Sequence, residues 1–164
     1  MRTETVLDRL SHATHAQWFG IAFLLLRIGV GLEFFYAGIT KFGDWTAAGY
    51  LASANGPFAA WFQSLAGNAF IDALNAAGLT LIGVALLLGL CTRPAAIAGI
   101  VTMLLYYLAH FVDNTEHGYI DQHIVLVLVF LMFAAGGAGH AFGLNGMVMD
   151  AMRRPNAFMR FLFG

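Results

Sequence analysis

The chain has 164 residues, of which 60% are hydrophobic and only 10% charged, against about 25% charged in an ordinary soluble domain. Eight basic and nine acidic side chains cannot coat a water-facing globule of this length, and the mean hydropathy of +0.75 agrees. The composition excludes a soluble enzyme and a disordered chain, and a net charge of -1 leaves no basic patch for nucleic acid, so an integral protein of the lipid bilayer remains.

Arg2 and Arg9 precede the first apolar run, which begins near Trp18 and is interrupted by Arg27 and Glu33. Without a cleavage site it reads as a retained helix and not as a signal peptide. A bilayer-crossing helix needs about 20 mostly apolar residues. Segments 18–39, 73–90, 95–112 and 122–142 meet that need, and the last three contain no Asp, Glu, Lys or Arg. The long connection 41–72 carries Trp45, Tyr50, Phe58, Trp61, Phe62 and Phe70, with breaks at Gly56-Pro57 and Gly67. It predicts one or two short amphipathic helices at the membrane interface, where Trp and Tyr are enriched.

Cys91-Thr92-Arg93-Pro94 is a tight turn, with Pro94 suited to the first turn of the following helix. Cys91 is the only cysteine, so it forms no internal disulfide and reads as a small packing residue. The loop 113–121 is short and acidic. The tail 146–164 sets Met147, Met149, Met152, Phe158, Met159, Phe161, Leu162 and Phe163 among Arg153, Arg154 and Arg160. It predicts an amphipathic segment on the inner membrane surface, where arginines meet anionic head groups, or against a partner.

The expected fold is therefore all-α: an integral membrane four-helix bundle over 1–145 with an outer amphipathic segment, then the tail. Four spans put both termini and Arg93 on one side. That side holds Arg2, Arg9, Arg93, Arg153, Arg154 and Arg160, and the other holds only Lys41, which predicts N- and C-termini in the cytoplasm. Gly29, Gly31, Gly38, Gly83, Gly89, Gly99, Gly136 and Gly139 allow the close helix approach that membrane bundles use. Gly136-Gly137-Ala138-Gly139 has no preceding strand and is not a phosphate loop.

An ionisable residue within a span is a functional candidate, because leaving it in lipid is costly. Arg27 lies about 13 Å into the first span and Glu33 about 9 Å further on. Arg27, Gly31, Phe34, Gly38 and Lys41 share one helical stripe, while Glu33 projects about 120° away, nearer Tyr36 and Gly29. Arg27 and Glu33 are thus expected to meet neighbouring helices or a ligand, or to tie helices together, and not to pair directly.

The outer half collects a polar cluster: Tyr106, Tyr107 and His110 end the third span, Asp121, Gln122 and His123 begin the fourth, and Asp113, Glu116 and His117 lie between. Lys41, Glu33 and Tyr36 reach the same half. His110 and His123 with an acid could ligate a metal, but no His-x-x-x-His pair shares a helix turn and no metal site is assigned. A quinone head hydrogen-bonded by these groups is the alternative, since histidine titrates near neutral pH and the Phe, Tyr and Leu wall suits an isoprenoid-tailed ring. The third alternative is a water-exposed interface with no ligand. His12, His15 and His140 lie toward the inner side and read as structural or solvated.

The stripe Arg27-x3-Gly31-x2-Phe34-x3-Gly38-x2-Lys41 resembles the opening motif of the DoxX/DoxD family of small four-helix membrane proteins. Gly83-x5-Gly89-Leu90-x-Thr92-Arg93-Pro94-Ala95 resembles its second turn. Asp121-x-His123 and Ala138-Gly139-His140-Ala141-Phe142-Gly143-Leu144-Asn145 are similar to the end of the DoxD branch, where an arginine and an aspartate are commoner at the positions of His140 and Asn145. The resemblance covers about 18–145. It implies the membrane subunit of a quinone oxidoreductase of the thiosulfate:quinone kind, with a second protein subunit, in a prokaryotic cytoplasmic membrane. The motifs carry Arg27, Lys41 and His123 over as site residues.

The functional expectation follows from both lines. His110, His123 and Glu33 are the catalytic candidates, and Arg27, Lys41, Tyr36, Tyr106 and Tyr107 the quinone-binding ones. No haem, flavin or iron–sulfur motif is present, so electrons are expected from an external donor through a partner. A non-catalytic membrane anchor, or a transporter or channel subunit using Arg27 and Glu33, are the rival readings, and a homo-oligomer is an alternative to a foreign partner.

Overall fold

A computed structural model describes residues 6–114, 118–137, 139, 143–152 and 156–163. Arg2, Glu116, His117, Ala138, His140, Ala141, Phe142, Arg153 and Arg154, and the side chains of Arg9 and His12, lie outside the described residues. The described residues form helices only: α1 (Val6–Ile39), α2 (Ala48–Ala52), α3 (Ala59–Ser64), α4 (Ala69–Leu88), α5 (Thr92–Ala109), α6 (Gln122–Gly136), α7 (Leu144–Ala151) and α8 (Ala157–Phe163).

Among the described residues three helices are long and apolar enough to cross a membrane: Gln17–Ile39 within α1, α4 and α5. Local chemistry sets their ends. The Asn68 side chain accepts from the Phe70 amide and caps α4, which starts four residues before the expected segment. Gly89, at φ 63°, ends α4 in the left-handed conformation that glycine adopts without a steric penalty. α5 carries Pro94 in its first turn, as the turn motif predicts, and stops at Ala109, three residues before the expected 112.

α6 differs from the expected 122–142. Asp121 caps its start, accepting from the His123 and Ile124 amides at 3.0 and 3.1 Å. Gly137, at φ 59°, closes it after 15 residues. At 1.5 Å per residue that is about 22 Å, short of the ~30 Å hydrocarbon core. α1 runs the other way: its helix extends from Val6, well before Trp18, because no proline or turn interrupts it.

The four long helices form an antiparallel bundle. Gly31 faces Leu86 and Leu87, Gly83 faces Phe35, and Gly38 faces Thr80, so α1 and α4 run in opposite directions. Gly99 faces Phe130 and Tyr106 faces His123, which makes α5 and α6 antiparallel too. Phe34 meets Phe130 edge-on at 5.0 Å, and Phe23 meets Phe133 at 5.5 Å, joining α1 to α6. Leu79, Ile82, Leu86, Ala96 and Met103 complete this core. Outside it, Leu25, Leu32, Leu74, Leu81, Val101 and Leu128 are exposed, as lipid-facing helix surfaces require.

The connection after α1 forms two short helices, where one or two were expected. They pack on the bundle end through Ala47, Leu51, Ala54, Phe62 and Ala109. The amides of Asn55 and Gly56 both donate to the Ala109 carbonyl, at 2.9 and 3.2 Å, so the α2–α3 link satisfies the end of α5. Phe58 and Trp61 remain exposed.

Candidate functional site

A cavity of about 140 Å³ opens between α1, α4, α5 and α6, near the bundle end that carries Lys41. Its apolar wall is Phe34, Ala37, Leu79, Met103 and Leu126, and its polar wall is Glu33, Lys41, Tyr106, Gln122 and His123. Glu33 and Gln122 are exposed and mark its mouth.

The polar wall is built residue by residue. Asp121 both caps α6 and takes the His123 Nδ1 in a close contact. One carboxylate thereby fixes the helix start and the imidazole that follows it, leaving His123 Nε2 as the ring's other hydrogen-bonding atom. Burial pushes the Asp121 carboxyl up, but hydrogen bonds from His123 and the Ile124 amide outweigh it and hold the group below its ordinary range. The Tyr106 ring stands edge-on to His123 with centroids 6.1 Å apart, and its hydroxyl meets Asn75 Nδ2 at 2.5 Å. Lys41, one turn past Ala37, donates from Nζ to the Ala37 carbonyl at 2.8 Å and lies 5.0 Å over the Trp45 ring. Burial lowers the Lys41 ammonium from the usual lysine range.

A second layer stands behind this wall. The Tyr50 hydroxyl donates to the Tyr106 carbonyl at 3.2 Å. His110 contacts the Tyr50 carbonyl through Nε2 and Asp113 through Nδ1, each at 3.0 Å. Burial, with Tyr106, Asp121 and Asp113 nearby, pushes the Tyr50 phenol up to about 12. Hydrogen bonds from His110 and Asn55 hold the exposed Asp113 carboxyl low.

Of the residues expected from sequence, the fold brings Glu33, Lys41, Tyr106 and His123 to one cavity. His110 does not line it; it touches the second layer through Tyr50. Tyr36 is 71% exposed and does not line the cavity. Tyr107 faces elsewhere, donating to the Tyr119 carbonyl at 2.8 Å and meeting Phe111 edge-on.

Arg27 belongs to a different place. It is 1% exposed and lies against the α4–α5 turn. A methyl group added at Gly89 or Gly143 would stand 2.7 or 2.8 Å from Arg27 Nη1, so the guanidinium is in contact with both backbones. Beside it, Asn145 is fully buried. Its side chain accepts from the Cys91 amide at 2.9 Å and donates to Thr92 Oγ1 at 3.2 Å, and its own amide donates to the Gly89 carbonyl at 3.0 Å. Helical stripe geometry alone puts Arg27 and Lys41 on one face, but they are 14 residues apart, or about 21 Å. The stripe thus serves two sites at two ends.

Asn75 and Tyr50 were missed by sequence reasoning. Asn75 sits in an uncharged apolar span and Tyr50 in a connection rich in aromatics, so neither carries a local signal; only the packing of α2 and α4 on α5 brings them to Tyr106. Among the described residues no group of three His, Cys, Asp or Glu side chains is placed to hold a metal.

The cavity is small. Its volume compares with the ~150 Å³ engineered cavity that takes up benzene. It offers hydrogen-bonding groups on one side and aromatic and aliphatic carbon on the other, the pattern of a small-molecule site.

A sequence profile of the DoxX family matches residues 22–111, more than half of the chain. No match is found among curated proteins or among solved structures. The matched stretch contains α1 from its middle onward through α5, and with it Glu33, Lys41, Tyr106 and the Arg27 contact with the α4–α5 turn.

Proposed function

The chain belongs to the DoxX family of membrane proteins, and from that premise we propose that it is the membrane subunit of a quinone-linked oxidoreductase. The carrying observation is the ring-sized cavity with Glu33, Lys41, Tyr106 and His123 on one wall and Phe34, Leu79, Met103 and Leu126 on the other. A quinone bound there accepts two electrons and two protons. Electrons come from an external donor, such as an inorganic sulfur anion, through a second protein subunit.

This chain's own residues bind and manage protons. With a quinone bound, His123 Nε2 would face a ring oxygen while Asp121 holds Nδ1, which orients the imidazole. The Tyr106 hydroxyl, fixed by Asn75, supplies a second hydrogen bond. Glu33 at the mouth exchanges protons with the medium, and Phe34 and Met103 exclude water from the ring face.

The test is binding of duroquinone, a small tailless quinone, to the purified chain in lipid nanodiscs. His123→Ala and Tyr106→Phe are expected to weaken binding by about five- to tenfold, the loss of one hydrogen bond to the ring. Tyr36→Phe and Tyr107→Phe are expected to leave it unchanged. Native-strength binding in both site variants overturns the site.

The topology expected from the arginines, with both termini in the cytoplasm of a prokaryotic cell, belongs to the same proposal. So does the contact of the tail with lipid or a partner, which the exposed Met147, Phe158 and Phe161 beside Arg160 favour.

A further inference from the structure

Lys41 touches two cavities. One is the ring cavity; the other, of about 370 Å³, lies between the turn after α1 and the start of α4, where Asp44, Trp45, Asp72 and Ala73 line it beside Lys41. Lys41 is the one residue common to both linings. Lys41 is also the only lysine of the chain.

We infer that Lys41 is a proton relay: its ammonium faces the ring held in the first cavity and exchanges its proton with water that enters through the second. The inference rests on the quinone reading of the first cavity. An ammonium has three N–H donors, and the bond to the Ala37 carbonyl takes one. That bond and the Trp45 ring hold the Lys41 ammonium, on the residue that lines both cavities.

The groups around Lys41 suit exchange. On the ring side it faces Glu33 from α1, Tyr106 from α5 and His123 from α6, with Asp121 behind His123. On the other side it faces Asp44 and Asp72, and Asp72 Oδ1 accepts the Ala47 amide at 2.8 Å, which pins the wall of the outer cavity. The carboxylates draw a cation toward the partition, and burial of the ammonium favours its release of a proton. In each transfer the Nζ–H bond breaks, an O–H bond forms on the ring oxygen, and the amine recovers a proton from water in the outer cavity. The two electrons come from the soluble reductant oxidised at the partner subunit.

The experiment measures duroquinone affinity of the full chain in nanodiscs from pH 6 to 10, together with acetylation of the single lysine by acetic anhydride. Native affinity is expected to fall about tenfold as the ammonium loses its proton, the value of a hydrogen bond from a charged donor. Lys41→Met is expected to bind weakly and without that fall, while Lys41→Arg, which stays charged, is expected to bind well across the range. Ala73→Trp, which fills the outer cavity, is expected to slow acetylation several-fold and to leave duroquinone affinity at pH 7 unchanged. Measurable binding that is flat above pH 7 in the native chain overturns the role of Lys41 and leaves the quinone reading standing. Acetylation unaffected by Ala73→Trp overturns the outer route. Absence of duroquinone binding at every pH overturns both the relay and the quinone reading.

Discussion

Asp121 shows how much one side chain decides. It caps α6 through two amides and holds the imidazole of His123, so one substitution tests helix stability and site geometry together. Asp121→Asn keeps part of the cap and loses the charge; a cap removed altogether, as in Asp121→Ala, costs about 0.5–2 kcal/mol. Its folded carboxyl titrates below the ordinary value near 3.9. The stability it contributes is therefore present above the unfolded pKa and is lost as pH falls through the lower, folded one. Thermal melting in nanodiscs is expected to hold between pH 7 and 5 and to drop below about pH 4, with a smaller drop in Asp121→Asn. The residue types at this site were legible in the sequence: a lone acid before an apolar run, followed by a histidine. Their partners were not. Tyr106 and Tyr107 are neighbours with the same chemistry, and only the rotation of α5 in the bundle sends one to the cavity and the other to Tyr119.

Between elements, glycine contacts carry the packing. A Cβ at Gly83 would collide with the Phe35 backbone and one at Gly38 with the Thr80 backbone, so α1 and α4 approach through these positions. Gly83→Leu is expected to cost about 1–3 kcal/mol or more by overpacking, seen as a lower melting temperature. Gly29→Ala, where nothing lies within 4 Å of an added Cβ, is expected to be neutral. At the opposite end, Asn145 joins the start of α7 to the α4–α5 turn. Asn145→Ala leaves the half-buried Cys91 amide and the buried Thr92 hydroxyl without this partner and is expected to cost about 1–3 kcal/mol, with duroquinone affinity unchanged. The glycine-rich pattern announced close packing in the sequence. Which glycines serve it depends on helix rotation, which a one-dimensional pattern does not contain.

At the scale of the whole molecule, charge placement and span count act together. Among the described residues three helices have spanning length and α6 falls short, so the side occupied by the tail depends on whether α6 crosses. On a Cys91→Ser background, Asp44→Cys and Asn156→Cys are expected to label from opposite sides of the membrane with an impermeant maleimide. Labelling of both from one side would mean that α6 does not cross. The molecule also separates two polar centres that share α1. The Arg27 end ties α1, the α4–α5 turn and the tail together, and the Lys41 end holds the cavity. Arg27→Met is accordingly expected to lower melting temperature and leave duroquinone affinity unchanged, which separates a structural from a binding role.

By itself, the sequence determined the membrane class, the helical fold and the short helices after α1, because those depend on composition and on periods read along the chain. It also announced the residues worth attention, since ionisable groups are scarce in an apolar chain. Only the tertiary structure decided which of them meet. Helix rotation and register placed Glu33, Lys41, Tyr106 and His123 around one cavity, sent Arg27 to the other end of the bundle, and brought in Asn75 and Tyr50, which no local pattern marks. The physical reason is that a helix fixes the spacing of its own side chains, whereas the neighbour each side chain meets is set by packing across helices far apart in the chain.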